Sequence, residues 1–252
     1  MKVSFDEKIV RRLKNTKDFL LKDFLGTKKT KELQKGFELM KEKERKAEVV
    51  PLSIYRLERF YHEVYAPFIA KKQNAEVFNL ISRFSDRIQE NKEELYFAKI
   101  TNGSTLLAGG VFVMKNKQAE KILSLAYRAY DDEVIVNKQR LGNYIEALYF
   151  LHGKTLEVDW FSAGQDRNGY GYFGGSLGLA LHKLENYFLP MRAENSLLRE
   201  EELDFDEPTL IFQDSNDDGY FKRAVLYNPS SAENLIKIQE MFQKRGLELI
   251  LK

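Results

Sequence analysis

The 252-residue sequence contains no cysteine. That excludes a disulfide framework, a thiolate metal site, an iron–sulfur cluster and a cysteine nucleophile. Histidine is scarce, limited to His62, His152 and His182, and no H-E-x-x-H occurs. A histidine-built zinc centre is therefore not expected, and no metal is assigned. No run reaches eighteen apolar residues, so no membrane span is expected. The first twenty residues are broken by charge every few positions and have neither an apolar h-region nor a small-residue cleavage site. They do not read as a signal peptide, and a cytoplasmic location is the simplest expectation. A P-loop is excluded because no G-x-x-x-x-G-K-[ST] is present. What is there is the composition of a folded soluble chain, 43% hydrophobic and 31% charged. The length fits one large or two small domains, with enough core to need no staple.

Net charge is only +2, but it is unevenly spread. Residues 1–50 hold 15 Lys/Arg against 9 Asp/Glu, and residues 194–218 hold 10 acids against Arg199 alone. In the basic stretch Lys and Glu alternate (KEKERKAE, 41–48), which suits a solvated helical face better than a phosphate-tracking stripe. Nucleic acid is not expected as a partner.

The periodicity predicts helices over residues 1–48, broken at Gly26-Thr27, and then a helix opened by Pro51 and Ser53. In that helix Ile54, Leu57, Phe60, Tyr61 and Val64 share a stripe. Another helix is expected over 76–89. The period then changes to that of strands. LYFAKIT (95–101), TLLAGGVFVM (105–114) and KILSLAYRAY (121–130) read as a three-stranded antiparallel meander, with Asn102-Gly103 as a type I′ turn. Gly109-Gly110 inside the middle strand suggests a bulge or the close approach of a backbone or ligand. A helix over 141–152, a strand over 155–161, a glycine-rich loop and a helix over 176–188 stopped by Pro190 come next. The tail reads as a hairpin (209–213 and 220–227), a helix opened by the capping box Ser230-x-x-Glu233 and closed by Gly246, and a last strand. Asp214–Gly219 resembles half a calcium loop, but Val225 stands where its bidentate Glu belongs, so it reads as a hairpin turn. The expected fold is α+β or α/β: a mixed sheet flanked by helices, with residues 1–50 as an N-terminal helical segment packed on a main domain of 51–252.

Six of the fifteen glycines fall between Gly164 and Gly178, between a strand end and a helix start, where backbone N–H groups favour anions. Gly169-x-Gly171-x-x-Gly174 matches the dinucleotide fingerprint. Five residues separate it from the predicted strand, however, and no strand leads to Glu194, about twenty residues on, where the ribose acid belongs. Asp166-x-x-Gly169-x-Gly171 is one place out of step with the acyl-CoA pyrophosphate loop of GNAT acetyltransferases, with Gln165 early and Arg167 late.

The order of elements over about residues 52–190 resembles the FemAB-like branch of the GNAT-fold acyltransferases, the peptidoglycan aminoacyl transferases and relatives that use acyl-CoA. The segments that carry the likeness are the helix GNYIEALYFLHG ending at Gly153, then Asp159-Trp160-Phe161-Ser162 with Gly164, and Lys183 with Phe188 in LALHKLENYF. Here D-W-F-S-A-G stands in place of D-F-G, and Leu189-Pro190 in place of a glycine. The resemblance implies a GNAT-like domain and acyl transfer from acetyl-CoA or another acyl-CoA to an amine or hydroxyl of a small molecule or cell-envelope precursor.

The residues allow roles to be placed on that chemistry. In the expected strand TLEVDWF, Glu157 and Asp159 share a face by the period of two, and two carboxylates on a covered face point to a cleft. Asp159, then Glu157, is the expected base for the attacking amine, and Tyr127 the proton donor to the departing thiolate. Backbone N–H groups at Gly109-Gly110 or Gly164 are expected to hold the oxyanion. Gln165, Arg167, Gly169 and Gly171 join them as cofactor contacts, and Trp160 and Lys183 as substrate contacts. The alternatives are a dinucleotide- or nucleotide-sugar-binding enzyme using the 164–178 loop, and a catalytically silent GNAT-like scaffold.

Overall fold

Val3, Phe5, Ile9 and Leu13 alternate with polar residues at the start of the chain, and this period of two makes strands, not the helix expected there. In the computed structural model β1 spans Lys2–Asp6 and β2 Lys8–Lys14. The structure describes residues 2–71, 77–90, 93–117, 119–173, 176–186, 188–229 and 235–252. The chain is a mixed α+β protein of two units, a split unit (Met1–Leu13 with Ser162–Lys252) and a continuous unit (Lys14–Phe161). The first fifty residues are thus divided between the two, and only 21–42 of them are helical.

The continuous unit opens with α1 (Leu21–Leu25) and α2 (Thr27–Glu42), which break at Gly26 as the sequence suggests. Strand β3 (Arg45–Pro51) follows, and then α3 (Ile54–Phe60), whose first turn is capped by Ser53 Oγ accepting from the Arg56 N–H. A π-helical turn at Tyr61–Tyr65 leads into α4 (Ala66–Ala70). Pro67 explains that turn. It has no N–H for the carbonyl four residues back, and the widened turn passes the chain through with the Ala66 N–H on the Tyr61 carbonyl. Helix α5 (Leu80–Gln89) is capped by Asn79. The start expected near Glu76 lies outside the described residues.

The meander forms as expected, with β4 (Glu94–Asn102), β5 (Thr105–Lys117) and β6 (Glu120–Tyr130) all antiparallel, and β3 on the outer side of β4. The first hairpin loop is Gly103-Ser104, because Asn102 already pairs with Thr105 and only Gly103 has positive φ. A small hairpin, β7 (Ile135–Val136) and β8 (Gln139–Arg140), precedes α6 (Leu141–Thr155). Strand β5 is buried from Ala108 to Met114 because helices cover both faces of it. Leu57, Phe60, Val64, Tyr65 and Phe84 pack with Phe97, Val111 and Val113 on one side. On the other, Tyr149 of α6 stacks edge-on against Phe112 and donates to the Leu123 carbonyl.

The split unit resumes at Ser162, within β9 (Trp160–Arg167), and continues with α7 (Leu177–Glu185), β10 (Leu189–Arg192) and β11 (Leu198–Glu202). Strand β10 pairs antiparallel with β2, and β11 with β1. The tail is the expected hairpin, helix and strand: β12 (Thr209–Ser215), β13 (Phe221–Tyr227), α8 (Leu235–Lys244) and β14 (Glu248–Leu251). Strand β14 runs parallel to β13, so this sheet is mixed, and Gly246 closes α8 with φ +67°. The predicted capping box at Ser230 and Glu233 lies outside the described residues. No helix among the described residues is long and apolar enough to cross a membrane.

Candidate functional site

Each half of the expected site falls in a different setting from the one its pattern suggested. The strand predicted over 155–161 does not form. Helix α6 runs on to Thr155, and β9 begins only at Trp160. Glu157 is exposed with φ +51°, and Asp159 is exposed in the bend before β9. Asp159 is bound there to the start of β6: its Oδ2 accepts the Lys121 N–H at 2.7 Å, and its own N–H donates to the Lys121 carbonyl. The shared carboxylate face is therefore absent, and Asp159 acts as a backbone clamp. Tyr127 lies six residues further along β6, roughly 20 Å away at strand rise. It accepts from Arg83 Nη1 at 2.8 Å and sits edge-on to Tyr65 and Phe84. Trp160 is half-buried, with Lys14 Nζ 5.8 Å from its ring centre.

Gly109 and Gly110 pair in regular register with both neighbouring strands. The register shift lies beyond them, between Val111 and Phe112, where Ala126 of β6 is the extra residue. Their lack of side chains has a packing cause. A Cβ on Gly109 would lie 2.6 Å from the Phe60 ring, and one on Gly110 2.6 Å from Ile145 Cγ2. The two glycines let helices close on both faces of β5, so the expected ligand approach is replaced by side-chain contact.

The glycine-rich segment is also not the loop the sequence suggested. Strand β9 continues through Gly164 and Gln165 to Arg167. Alternation along it puts Gln165 and Arg167 in solvent and turns Asp166 the other way, half-buried. The fingerprint glycines thus follow the strand closely, correcting the expected gap. Four backbone donors beside them are nevertheless occupied. The Tyr170 N–H donates to Leu210, those of Tyr172 and Phe173 to Gly169, and that of Asn168 to Glu7. Gly171 lies so close to the Pro208 carbonyl that a Cβ would meet it at 2.4 Å. No phosphate cradle is left at Tyr170, Tyr172 or Phe173. Gly174 lies outside the described residues.

What this packing builds instead is a cluster of charge inside the split unit. Lys183 of α7 donates to both oxygens of Asp166, at 2.8 and 2.7 Å. The Tyr170 hydroxyl donates to Asp166 Oδ2. Arg11 of β2 stands with its Nε 3.3 Å from the Tyr170 hydroxyl and 4.0 Å from Asp166 Oδ2. Its guanidinium lies 4.4 Å from the Phe212 ring centre and 5.2 Å from that of Tyr170, a cation–π arrangement on two rings. Side-chain exposure is 0% for Arg11, 11% for Lys183 and 15% for Asp166. Both Arg11 Nη atoms are buried without a hydrogen-bond acceptor among the described residues. Burial lowers the Lys183 pKa against the opposing pull of Asp166, and Arg11 lowers it further. Burial raises that of Tyr170, which stays a phenol. Asn168 locks the surroundings, with its side chain bonded to both the N–H and the carbonyl of Phe212.

Of the expected residues, Lys183 alone belongs to this cluster. Arg11, Asp166 and Tyr170 were missed as site residues. One signal for Arg11 lies in the sequence: in KIVRRLK it occupies the middle of the buried face shared by Ile9 and Leu13. Among the described residues no group of three His, Asp or Glu side chains is placed to hold a metal ion.

No family model matches the chain, and no curated protein matches it. Among solved structures it is similar to a conserved protein of unknown function from Bacteroides thetaiotaomicron (TM-score 0.48, 9% identity, 79% of this chain and 60% of that one). It is also similar to FemX (0.47, 12%, 77% and 60%) and to L-PGS from Bacillus licheniformis (0.45, 11%, 75% and 59%). The chain spans about three fifths of the length of each.

Proposed function

We propose that the protein is a GNAT-like acyltransferase that moves an acyl group from an activated ester or thioester to an amine by direct attack. We assign the chemistry to Lys183, Asp166 and Arg11. The observation that supports this is the enclosure of two cations and one carboxylate in the split unit, with Asp166 at the centre and Lys183, the lysine of the FemAB-like segment, bound to both its oxygens. The Asp166–Lys183 pair suits the proton that the attacking nitrogen must lose. The acceptor proposed is an amine of a small molecule or cell-envelope precursor. The donor is an acyl carbon on a good leaving group, a CoA thiol or a tRNA ribose hydroxyl.

The test is incubation with a panel of amines and either acetyl-CoA or aminoacyl-tRNA, read by product mass and by release of thiol or free tRNA. An acylated amine formed with one donor class, and lost in Lys183→Met, supports the reading. No product with either donor removes it. One observation favours a second reading: β9 leads within two residues to Gly169, and α7 follows, which is the setting of a dinucleotide fingerprint. Thermal stabilisation by NAD or a nucleotide sugar, and none by acyl donors, would select that reading.

A further inference from the structure

The cluster contains more positive than negative groups, and the way it can become neutral assigns a role. We infer that Lys183 acts as an uncharged amine, the proton acceptor of the transfer step, and that Arg11 is the positioning residue that supplies Asp166 with a permanent cation. The catalytic part of this rests on the function proposed above, while the protonation state does not.

One carboxylate faces two cations. With both charged, the cluster carries an unbalanced charge held mostly out of water, which is unfavourable. Arg11 cannot relieve it, because a guanidinium keeps its proton at any ordinary pH. Tyr170 cannot supply an anion, since burial keeps it a phenol and its proton is given to Asp166. A guest anion cannot reach the Arg11 Nη atoms, which have no accessible surface. Lys183 remains, and loss of its proton leaves Arg11⁺, Asp166⁻ and a neutral amine. The titratable groups facing Lys183 are Asp166 from β9, Arg11 from β2 and Tyr170 from the connecting loop. On α8, Arg245 donates to the Leu184 and Glu185 carbonyls in the same last turn of the lysine's helix, and Lys237 pairs with the Glu185 carboxylate. Asp166 still accepts from the neutral amine, which fixes the direction of its lone pair.

The step balances without a further reactant. The acceptor nitrogen bonds to the acyl carbon, and its surplus proton passes to Lys183 Nζ. The bond from carbon to the leaving sulfur or oxygen breaks, and the Lys183 ammonium returns the proton to the leaving group.

The test is a pH titration of the lysine side-chain amines by NMR on the intact ¹⁵N-lysine-labelled protein, with Lys183 assigned by its absence in Lys183→Arg. The expected result is a Lys183 signal that changes at lower pH than the other lysines. In Arg11→Met it should move up toward them, and in Asp166→Asn it should move further down. A Lys183 signal that titrates with the others overturns the inference, as does one unmoved in Arg11→Met. Should that buried substitution prevent folding, Asp166→Asn decides alone, and an unmoved or raised titration there overturns it. An upward shift on adding inorganic phosphate also overturns it, by showing that an anion completes the cluster. Transfer activity with an ordinary Lys183 titration would leave the proposed function standing and this inference refuted. A low titration without transfer would do the reverse.

Discussion

Glu146 in the continuous unit and Asp166 in the split unit both lie among cations, and their surroundings differ in one respect. Glu146, 6% exposed, is bound by Arg128 and by Lys29, whose side chains are 31% and 27% exposed. Its cations reach water, so their charge is solvated. Asp166 shares its cluster with an Arg11 of no exposure and a Lys183 of 11%. There little of the charge reaches solvent. The first arrangement fastens α6 to β6 and α2. The second leaves Lys183 in a place where burial disfavours its charged form. A buried carboxylate between cations is thus not a functional signal in itself; the exposure of its partners decides.

Five substitutions and one pH series sharpen that contrast. Lys183→Met should lower transfer by about 10²-fold or more, the usual contribution of a positioned proton acceptor, without loss of fold by circular dichroism. Glu146→Ala should do the opposite: about 3 kcal/mol of stability lost in urea unfolding, as for a broken buried pair, with the remaining folded protein turning over normally. Gly109→Ala should cost about 2 kcal/mol, because the Phe60 and Phe97 rings must yield.

The pH dependence of stability has a defined sign. His152 has its pKa lowered below the ordinary 6.5 by burial. The unfolded chain therefore binds its proton first on acidification, so stability should fall as pH drops below 6.5 and recover above it. His152→Gln should flatten that part of the curve in a denaturant series. The smallest effect belongs to Asp159→Asn. It weakens one exposed clamp on the Lys121 N–H, for at most about 1 kcal/mol, and turnover should be unchanged. A kinetic loss there would return the carboxylate to the chemistry.

The meander, the tail and helices α2, α3 and α6 were legible because their apolar periods are long and their caps plain. Residues 2–14 were not, because two short strands dense in Lys and Arg mimic a charged helix. Their alternation becomes clear only once Arg11 is allowed onto a buried face. Strand β9 was cut short for a related reason: Gly164, Gln165, Asp166 and Arg167 have turn chemistry, while their neighbours hold them extended. Gly109 and Gly110 were correctly singled out as sites of close approach, but a sequence does not say whether Phe60 or a ligand approaches. Lys183 was visible through the family-like segment. Asp166 and Arg11 were not, because what joins them is long-range packing of β2 against the β9–α7 connection.

The most direct measurement is kcat/KM for amine acylation by the wild-type protein and by Lys183→Met, with whichever donor class supports turnover. A fall of two or more orders of magnitude in the folded variant is predicted. Equal rates in the two proteins would contradict the assignment of the split-unit cluster as the reactive centre.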